Sequence, residues 1–237
     1  MGYKSSLVVQ QRAAAPRARP MRRTERRQQL LEVARDIVVQ DGISALTMTA
    51  LTERSGASRP IVYEHFANSE AVAIALLEAY FDGSIKYVVE RLKRAKTLEQ
   101  YMSISIDALF EYNIKNRLII RKIAHGFALS SHANKVYARH QKATVGSYVD
   151  MLLLQGVPKK VAVVAGYGLH EIVHSCIDEF AKQTSNSIAR DTLKRMVMSV
   201  IRSVVPKGSP LKPQIPPNLL RYLEHRSEPD RSLARKS

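Results

Sequence analysis

At 237 residues, 45% of them hydrophobic, the chain can bury a core in one large domain or in a small domain joined to a larger one. It has no uncharged apolar run long enough to span a membrane and no secretory signal, and its single cysteine, Cys176, excludes an internal disulfide and suits a reducing cytoplasm. The formal net charge of +16 favours a polyanionic partner.

The positive charge is concentrated at the N-terminus. Residues 1–28 carry eight Lys or Arg and one Glu, and residues 1–21 contain Pro16 and Pro20 and show no apolar period. We therefore expect residues 1–21 to form a disordered, Arg-rich arm. Such an arm either binds nucleic-acid phosphates or is a solvated tail that keeps the protein soluble.

Residues 22–68 show the pattern of a small domain of three helices. The helix boundaries are predicted from the apolar period, from residues that cap helix N-termini and from glycines that end helices. In chain order the signals are the apolar series Leu30, Ala34, Ile37 and Val38, the stop at Asp41-Gly42, the N-cap Thr47, the turn Ser55-Gly56-Ala57, the N-cap Ser58 followed by Pro60, and the N-cap Asn68 or Ser69 of a fourth helix.

The rest of the chain predicts further helices and shows no strand signal, so the expected fold class is all-α with about nine helices. Residues 69–205 form a larger helical domain, and residues 206–237 form a Pro-rich basic tail that we expect to be mostly disordered. Thr97 opens a capping box. Further helices are expected over residues 117–129, 133–154 and 158–183, and from Ser187 to a stop at Pro206.

The two short helices around Ser55-Gly56-Ala57 are typical of a helix-turn-helix, whose second helix places its N-terminal residues in the major groove of DNA. Arg59 can donate two hydrogen bonds to guanine O6 and N7, and Pro60 and Ile61 can make apolar contact with a thymine methyl group. Val62 and Phe66 fall on the opposite face and are expected in the core. The candidate DNA-binding residues are Arg22, Arg23, Thr47, Ser58, Arg59, Pro60, Ile61, Tyr63 and His65, of which Thr47, Tyr63 and His65 are assigned to phosphate oxygens.

The motif itself is not basic, because residues 29–66 carry three arginines and five acidic residues. The attraction to phosphate must then come mostly from the arginines that precede the motif, and the minor groove is a route by which they can reach the DNA. These arginines are Arg12, Arg17, Arg19, Arg22, Arg23, Arg26 and Arg27.

The pattern resembles the tetracycline-repressor (TetR) family of bacterial regulators over about residues 24–72. It departs at Ser69, where the family usually has a phosphate-contacting lysine, and at Thr52, commonly alanine. The matching residues are Ala34, Gly42, Thr47, Leu51, Ser55-Gly56-Ala57-Ser58, Val62-Tyr63, His65-Phe66, Glu70 and Val72.

The resemblance implies a homodimer that binds a palindromic operator in double-stranded DNA. It implies that residues 69–205 bind a small-molecule effector and dimerise, and that the effector relieves repression. It further implies a cytoplasmic, nucleoid-associated protein with no enzymatic activity, no cofactor and no membrane contact. A DNA-binding protein that takes no ligand is the alternative.

Residues 170–174 read His-Glu-Ile-Val-His, the spacing in which two histidines on one helix bind zinc and the glutamate activates water. A zinc metallopeptidase is therefore a competing hypothesis. It is disfavoured because the sequence has no third ligand at the spacing of such enzymes and no strand to align a peptide. The other interpretations of His170 and His174 are a structural pair, contacts to a ligand and a regulatory metal site; we assign them to a ligand and expect no metal.

Aromatic side chains with a polar tip on the central helices suit a drug-sized ligand. The helices over residues 158–183 and 187–205 are expected to form the dimer interface, although the apolar stripe over residues 193–204 could instead face its own core. The small residues expected at that interface are Ala162, Ala165, Gly166 and Gly168. The candidate ligand contacts are Tyr101, Phe110, Tyr112, His125, Phe127, Tyr137, Tyr148, Tyr167, His170 and His174.

Overall fold

The computed structural model describes residues 22–116, 119, 122–123, 131–181, 187–209 and 213–227. Within these ranges the chain forms nine α-helices and one 3-10 turn, and no strand occurs there, so the predicted all-α class is confirmed. The helices are α1 (Arg23–Asp41), α2 (Met48–Ser55), α3 (Arg59–His65), α4 (Ser69–Leu92), α5 (Leu98–Lys115), α6 (Ser131–Leu154), α7 (Lys159–Phe180), α8 (Ser187–Val204) and α9 (Pro217–Ser227), with the 3-10 turn over Ile43–Ala45.

Local side-chain caps fix the starts of three helices. Thr47 Oγ1 accepts a hydrogen bond from the Ala50 amide at 3.0 Å, and Asn68 Oδ1 accepts one from Ala71 at 2.8 Å. Thr97 Oγ1 accepts one from Gln100 at 3.2 Å. Each cap satisfies an amide that has no partner within its helix, as the sequence predicted. Ser58 is different: it precedes α3 with extended backbone, but its side chain makes no capping hydrogen bond.

Two apolar cores organise the described part of the chain. The first joins α1, α2 and α3 to the N-terminal half of α4, and the second joins the C-terminal end of α4 to α5, α6, α7 and α8. The helix α4 therefore contributes to both cores. No helix in the described ranges is both long and apolar enough to cross a bilayer.

The predicted dimer stripe of α8 packs mainly inside its own domain. Leu193, Val197 and Ile201 are fully buried in the second core, so the expectation that they face a partner is wrong for these three residues. Two of the small residues of α7 behave similarly, since Ala162 is fully buried in the second core and a Cβ on Gly166 would lie 2.6 Å from Val149 of α6, whereas Gly168 is exposed. An amphipathic period shows that a helix buries one face, but it does not show which surface covers that face.

The C-terminal tail also departs from the prediction. Residues 217–227 form α9, which packs against α4 and α6 and buries Leu219 and Tyr222. Leu219 and Tyr222 are three residues apart and lie on one helix face. Pro217 occupies the first turn, where the missing amide proton is not needed.

Candidate nucleic-acid interface and ligand cavity

The turn between α2 and α3 depends on a glycine and a buried alanine. Gly56 has φ of +66°, in the left-handed region, and this conformation ends α2 and turns the chain towards α3. Ala57 is 7% exposed and packs in the first core beside Leu51 and Val62. The amide of Ala57 donates to Ser55 Oγ at 3.2 Å. The predicted turn therefore holds α2 and α3 together as one packed unit.

The outer face of α3 carries most of the residues assigned to DNA. Ser58, Arg59 and Pro60 are exposed, and the Tyr63 side chain is 52% exposed despite its size. Val62 and Phe66 are buried, as expected for the opposite face. Ile61 differs from its assignment, because it is half-buried and packs against the first core. The exposed members of this set are therefore Ser58, Arg59, Pro60 and Tyr63.

Two arginines of α1 hold α3 in place. Arg27 Nη1 donates to the carbonyl oxygen of His65 at 3.2 Å, and its guanidinium lies 4.4 Å from the centre of the Phe66 ring. Arg23 Nε lies 3.5 Å from Glu64 Oε1. The sequence assigns Arg27 to phosphate attraction, but its guanidinium is engaged with the C-terminal end of α3. These contacts connect α1 to the C-terminal half of α3.

Other residues assigned to DNA lie around this helix. Arg22 and Thr47 are exposed at the starts of α1 and α2. His65 is half-buried at the end of α3, and burial lowers the pKa of its imidazole, with Arg23, Arg26 and Arg27 acting in the same direction. Arg12, Arg17 and Arg19, like the whole arm over residues 1–21, lie outside the described residues.

A cavity lies between α4, α5, α6 and α7 and consists of two adjacent chambers. The polar chamber has a volume of about 300 Å³ and is lined by Tyr80, Phe81, Ser84, Leu109, Asn113, Tyr137, His140, Gln141, His170, Glu171, His174, Ile177 and Asp178. The apolar chamber has a volume of about 50 Å³ and is lined by Ser84, Ile85, Val88, Tyr101, Ser105, Leu109, His140, Thr144, Ser147, Tyr148, Met151, His174 and Leu219. Ser84, Leu109, His140 and His174 border both chambers.

Three histidines meet in this cavity. The His140 ring centre lies 6.2 Å from that of His174, and His170 and His174 lie 4.3 Å apart. The other face of His140 stacks on Phe81, with ring centres 3.9 Å apart. Burial lowers the pKa of His140 well below its usual value, and burial with the neighbouring His170 lowers the pKa of His174 to about 3. Both side chains are therefore neutral imidazoles at neutral pH.

With this geometry in place, the chain can be compared with known proteins. Residues 30–76, which cover α2, α3 and parts of α1 and α4, match the family model of bacterial regulatory proteins of the tetR family. Residues 30–76 therefore form a DNA-binding domain of the tetR family.

The chain is also similar to individual proteins. Over 90 residues it is 30% identical to the HTH-type transcriptional activator FasR of Mycolicibacterium smegmatis. The aligned residues make up 38% of this chain and 41% of FasR. The chain thus matches less than half the length of this curated relative. A tetR-family transcriptional regulator from Streptomyces coelicolor has the same fold, with a TM-score of 0.61 at 18% identity over 86% of this chain and 98% of the other. The structure of the SmeT–triclosan complex also has this fold, with a TM-score of 0.60 at 15% identity. The match covers 81% of this chain and 97% of SmeT.

The structure brings together only some of the residues that the sequence assigns to a ligand. Tyr101 and Tyr148 line the apolar chamber, Tyr137 and His170 line the polar chamber, and His174 borders both. His125 and Phe127 lie outside the described residues.

Three other assignments do not fit a ligand contact. Phe110 is 1% exposed within the second core, where the guanidinium of Arg190 lies 5.1 Å from its ring. Tyr112 packs against Tyr80 and Tyr87 and lines neither chamber. Tyr167 is 54% exposed on the outer face of α7.

Sequence reasoning missed His140, the most central side chain of the cavity. A signal was available, because Tyr137, His140, Thr144, Tyr148 and Met151 are spaced by three or four residues along α6 and share one face of that helix. All five line the cavity. A polar and aromatic stripe inside an otherwise ordinary helix thus indicated the pocket wall.

The His-Glu-Ile-Val-His segment forms part of this cavity wall. His170 and His174 face the chambers, whereas Glu171 is exposed at the edge, with one oxygen 3.1 Å from His170 Nδ1. Within the described ranges, no three His, Cys, Asp or Glu side chains are arranged to hold a metal ion. His170 and His174 therefore lie on the cavity wall, and Glu171 lies at its edge.

Proposed function

We propose that this regulator binds a palindromic operator as a homodimer in the bacterial cytoplasm, on the nucleoid, and that a small molecule in the cavity releases it from DNA. It acts as a repressor, without enzymatic activity. The observation that carries the proposal is the position of α4. Val72 and Leu76 of α4 pack in the core of the DNA-binding domain, and Ser84, Ile85 and Val88 of the same helix line the cavity.

The link between cavity and DNA-binding domain is short. Phe81 belongs to the first core, and its ring stacks on His140 in the cavity wall. A molecule that displaces His140 therefore acts on a side chain of the first core, to which α2 and α3 also contribute. Because a packed core has few alternative arrangements, such a shift is expected to reorient the recognition helix.

The DNA-binding part is tested by footprinting the DNA upstream of the protein's own gene, followed by measurement of the affinity of variants. Arg59→Ala should weaken operator binding about ten-fold or more, since a bidentate arginine–guanine pair contributes about 1–3 kcal/mol. Arg35→Ala is the matched control, because Arg35 is exposed on α1 and its charge acts on Tyr112, away from α3. Equal losses in both variants would show that α3 does not read the bases.

The homodimer is supported by an exposed apolar surface on α7 and α8. Val164 is 74% exposed and Ile188 77% exposed, and Val161, Tyr167 and Met196 are each more than 40% exposed. Exposed apolar side chains in this number are typical of an interaction surface. We expect Val164→Asp to produce a monomer in light scattering and to lose operator affinity. Leu220→Asp, a matched exposed apolar site on α9, should remain a dimer.

A second regulatory outcome, activation, is suggested by one comparison, since FasR is named a transcriptional activator. The two outcomes separate in transcription with purified polymerase on the footprinted promoter. Transcript that falls as the regulator is added supports repression, and transcript that rises supports activation. A regulator that stays on DNA with every cavity ligand bound would be a ligand-independent DNA-binding protein.

A further inference from the structure

We propose that the cavity is built for an amphipathic molecule with an uncharged, hydrogen-bonding head group and a slim apolar tail. The head would lie among His140, His174 and Tyr137, and the tail would lie in the apolar chamber. This inference rests on the proposed function, since it specifies the chemical class of the effector.

The polar chamber contains hydrogen-bonding groups that the protein leaves unused. His140 is only 9% exposed, and neither its imidazole nor that of His174 has a hydrogen-bond partner among the described residues. The hydroxyl of Tyr137 is buried and likewise has none within those ranges. Buried polar groups are normally satisfied, because each unsatisfied group costs about 1–3 kcal/mol. The Tyr137 hydroxyl is such a buried group, and it shares the chamber wall with two imidazoles that also lack a hydrogen-bond partner among the described residues, so we infer that a bound molecule supplies these hydrogen bonds.

The charges around the chamber favour a neutral head group. No lysine or arginine is among the described residues that line either chamber. Burial keeps His140 and His174 uncharged, and burial together with Asp178 raises the pKa of Tyr137 to about 12, so its hydroxyl stays protonated. A carboxylate or phosphate head would therefore enter a buried site without a cation, near Glu171 and Asp178.

A cationic head is also less well matched. The carboxylate of Glu171 is 63% exposed and already lies 3.1 Å from His170 Nδ1, and Asp178 also interacts within the chain. The carboxylates therefore lie towards the edge and are engaged, whereas the unused groups inside are neutral. An alcohol or phenol can both donate to an imidazole nitrogen and accept from the Tyr137 hydroxyl.

The apolar chamber fits the other end of such a molecule. Ile85, Val88, Met151 and Leu219 supply its apolar surface, and methionine adapts its shape to different tails. His140 and His174 border both chambers, so a molecule bonded to either imidazole can extend directly into the apolar chamber.

The inference is tested by calorimetry of the full chain with three probes of equal length, namely octan-1-ol, octanoate and octylamine at pH 7.5. Octan-1-ol is expected to bind at least ten-fold more tightly than either charged probe, with no net proton uptake. His140→Leu should weaken octan-1-ol binding about ten-fold, whereas His132→Leu, at an exposed histidine of α6, should not change it.

The outcomes separate the inference from the proposed function. Tighter binding of octanoate or octylamine, absence of binding by all three probes, or equal effects of His140→Leu and His132→Leu would each overturn the inference. Cavity binding of octan-1-ol without release of operator DNA would instead support the inference and contradict the proposed release mechanism. Thermal melts of both variants check that each has folded.

Discussion

The backbone conformation of Gly56 is a requirement of the DNA-binding domain that a single substitution can test. At φ of +66° a Cβ is strained, although no heavy atom lies within 4 Å of the position it would occupy. Gly56→Ala should therefore destabilise the protein by about 1 kcal/mol through the backbone alone. Urea unfolding measures this loss.

The control for this prediction is Gly168→Ala. Gly168 lies within α7, and a Cβ there would also meet no atom within 4 Å. Alanine should stabilise this helix by about 0.5–1 kcal/mol, because glycine loses more backbone entropy on folding. A Gly56→Ala protein as stable as the parent would show that the turn does not need the left-handed conformation.

The buried histidines predict how stability depends on pH. The pKa values of His140 and His174 are depressed in the folded protein, so below about 6.5 the unfolded chain binds more protons than the folded one. Their contribution to stability is present above pH 6.5 and is lost as the pH falls. Each histidine can contribute up to about 1.4 kcal/mol per pH unit in this range.

The free energy of unfolding, measured with urea, should fall between pH 7.5 and pH 5.5. His174→Gln should reduce the slope of this free energy against pH by up to the contribution of one histidine. His132→Gln, at an exposed position, should retain the full slope. Lowered pKa values at half-buried His65 act equally in all three proteins and cancel in the comparison. An unchanged slope in His174→Gln would mean that the imidazole takes up its proton while the protein is folded.

At the scale of single elements, α9 closes the outer side of the cavity. The side chain of Asn218 donates to Asp150 Oδ2 at 2.8 Å, and Tyr222 donates to Asp82 Oδ1 at 3.0 Å. The approach to α6 is close, since a Cβ on Gly146 would lie 2.8 Å from Asn218 Nδ2. Gly146→Ala should therefore loosen α9 without disturbing α6.

Hydrogen exchange measures this effect, since the amides of α9 should exchange faster in Gly146→Ala than in the parent. Gly168→Ala provides the control for adding a methyl group to a helix, and it should leave exchange in α9 unchanged. If α9 exchanges equally in both variants, the Asn218 side chain has moved aside and the close approach is not what holds α9.

Elements fixed by local interactions were predictable from the sequence, and elements fixed by distant contacts were not. Thr47, Asn68 and Thr97 each bond an amide three residues ahead, so the caps are visible in the sequence. The helix α9 was missed because its stability comes from Asp82 and Asp150, far away in the chain, while its neighbouring prolines indicated an irregular tail. For the same reason, residue type alone did not distinguish buried Phe110 from exposed Tyr167.

For the whole molecule, the regulatory coupling that we propose depends on a single helix. With 24 residues, α4 is about 36 Å long, and its N-terminal half lies in the DNA-binding core while its C-terminal half lies along the cavity. If α4 has one arrangement that binds DNA and another that does not, a ligand can shift the balance between them only by the difference in its binding free energy for the two. A substitution that fills the cavity at α4 should therefore abolish release while leaving DNA binding intact.

Ser84 is the position for this test, because it is buried on α4 and borders both chambers. We expect Ser84→Leu to occupy the passage between the chambers, to keep operator affinity within about two-fold, and to require at least ten-fold more octan-1-ol for release in a mobility-shift titration. Lys86→Leu, at an exposed position of the same helix, should respond like the parent. Normal release in Ser84→Leu would show that the effector acts elsewhere, since no ligand could then occupy both chambers.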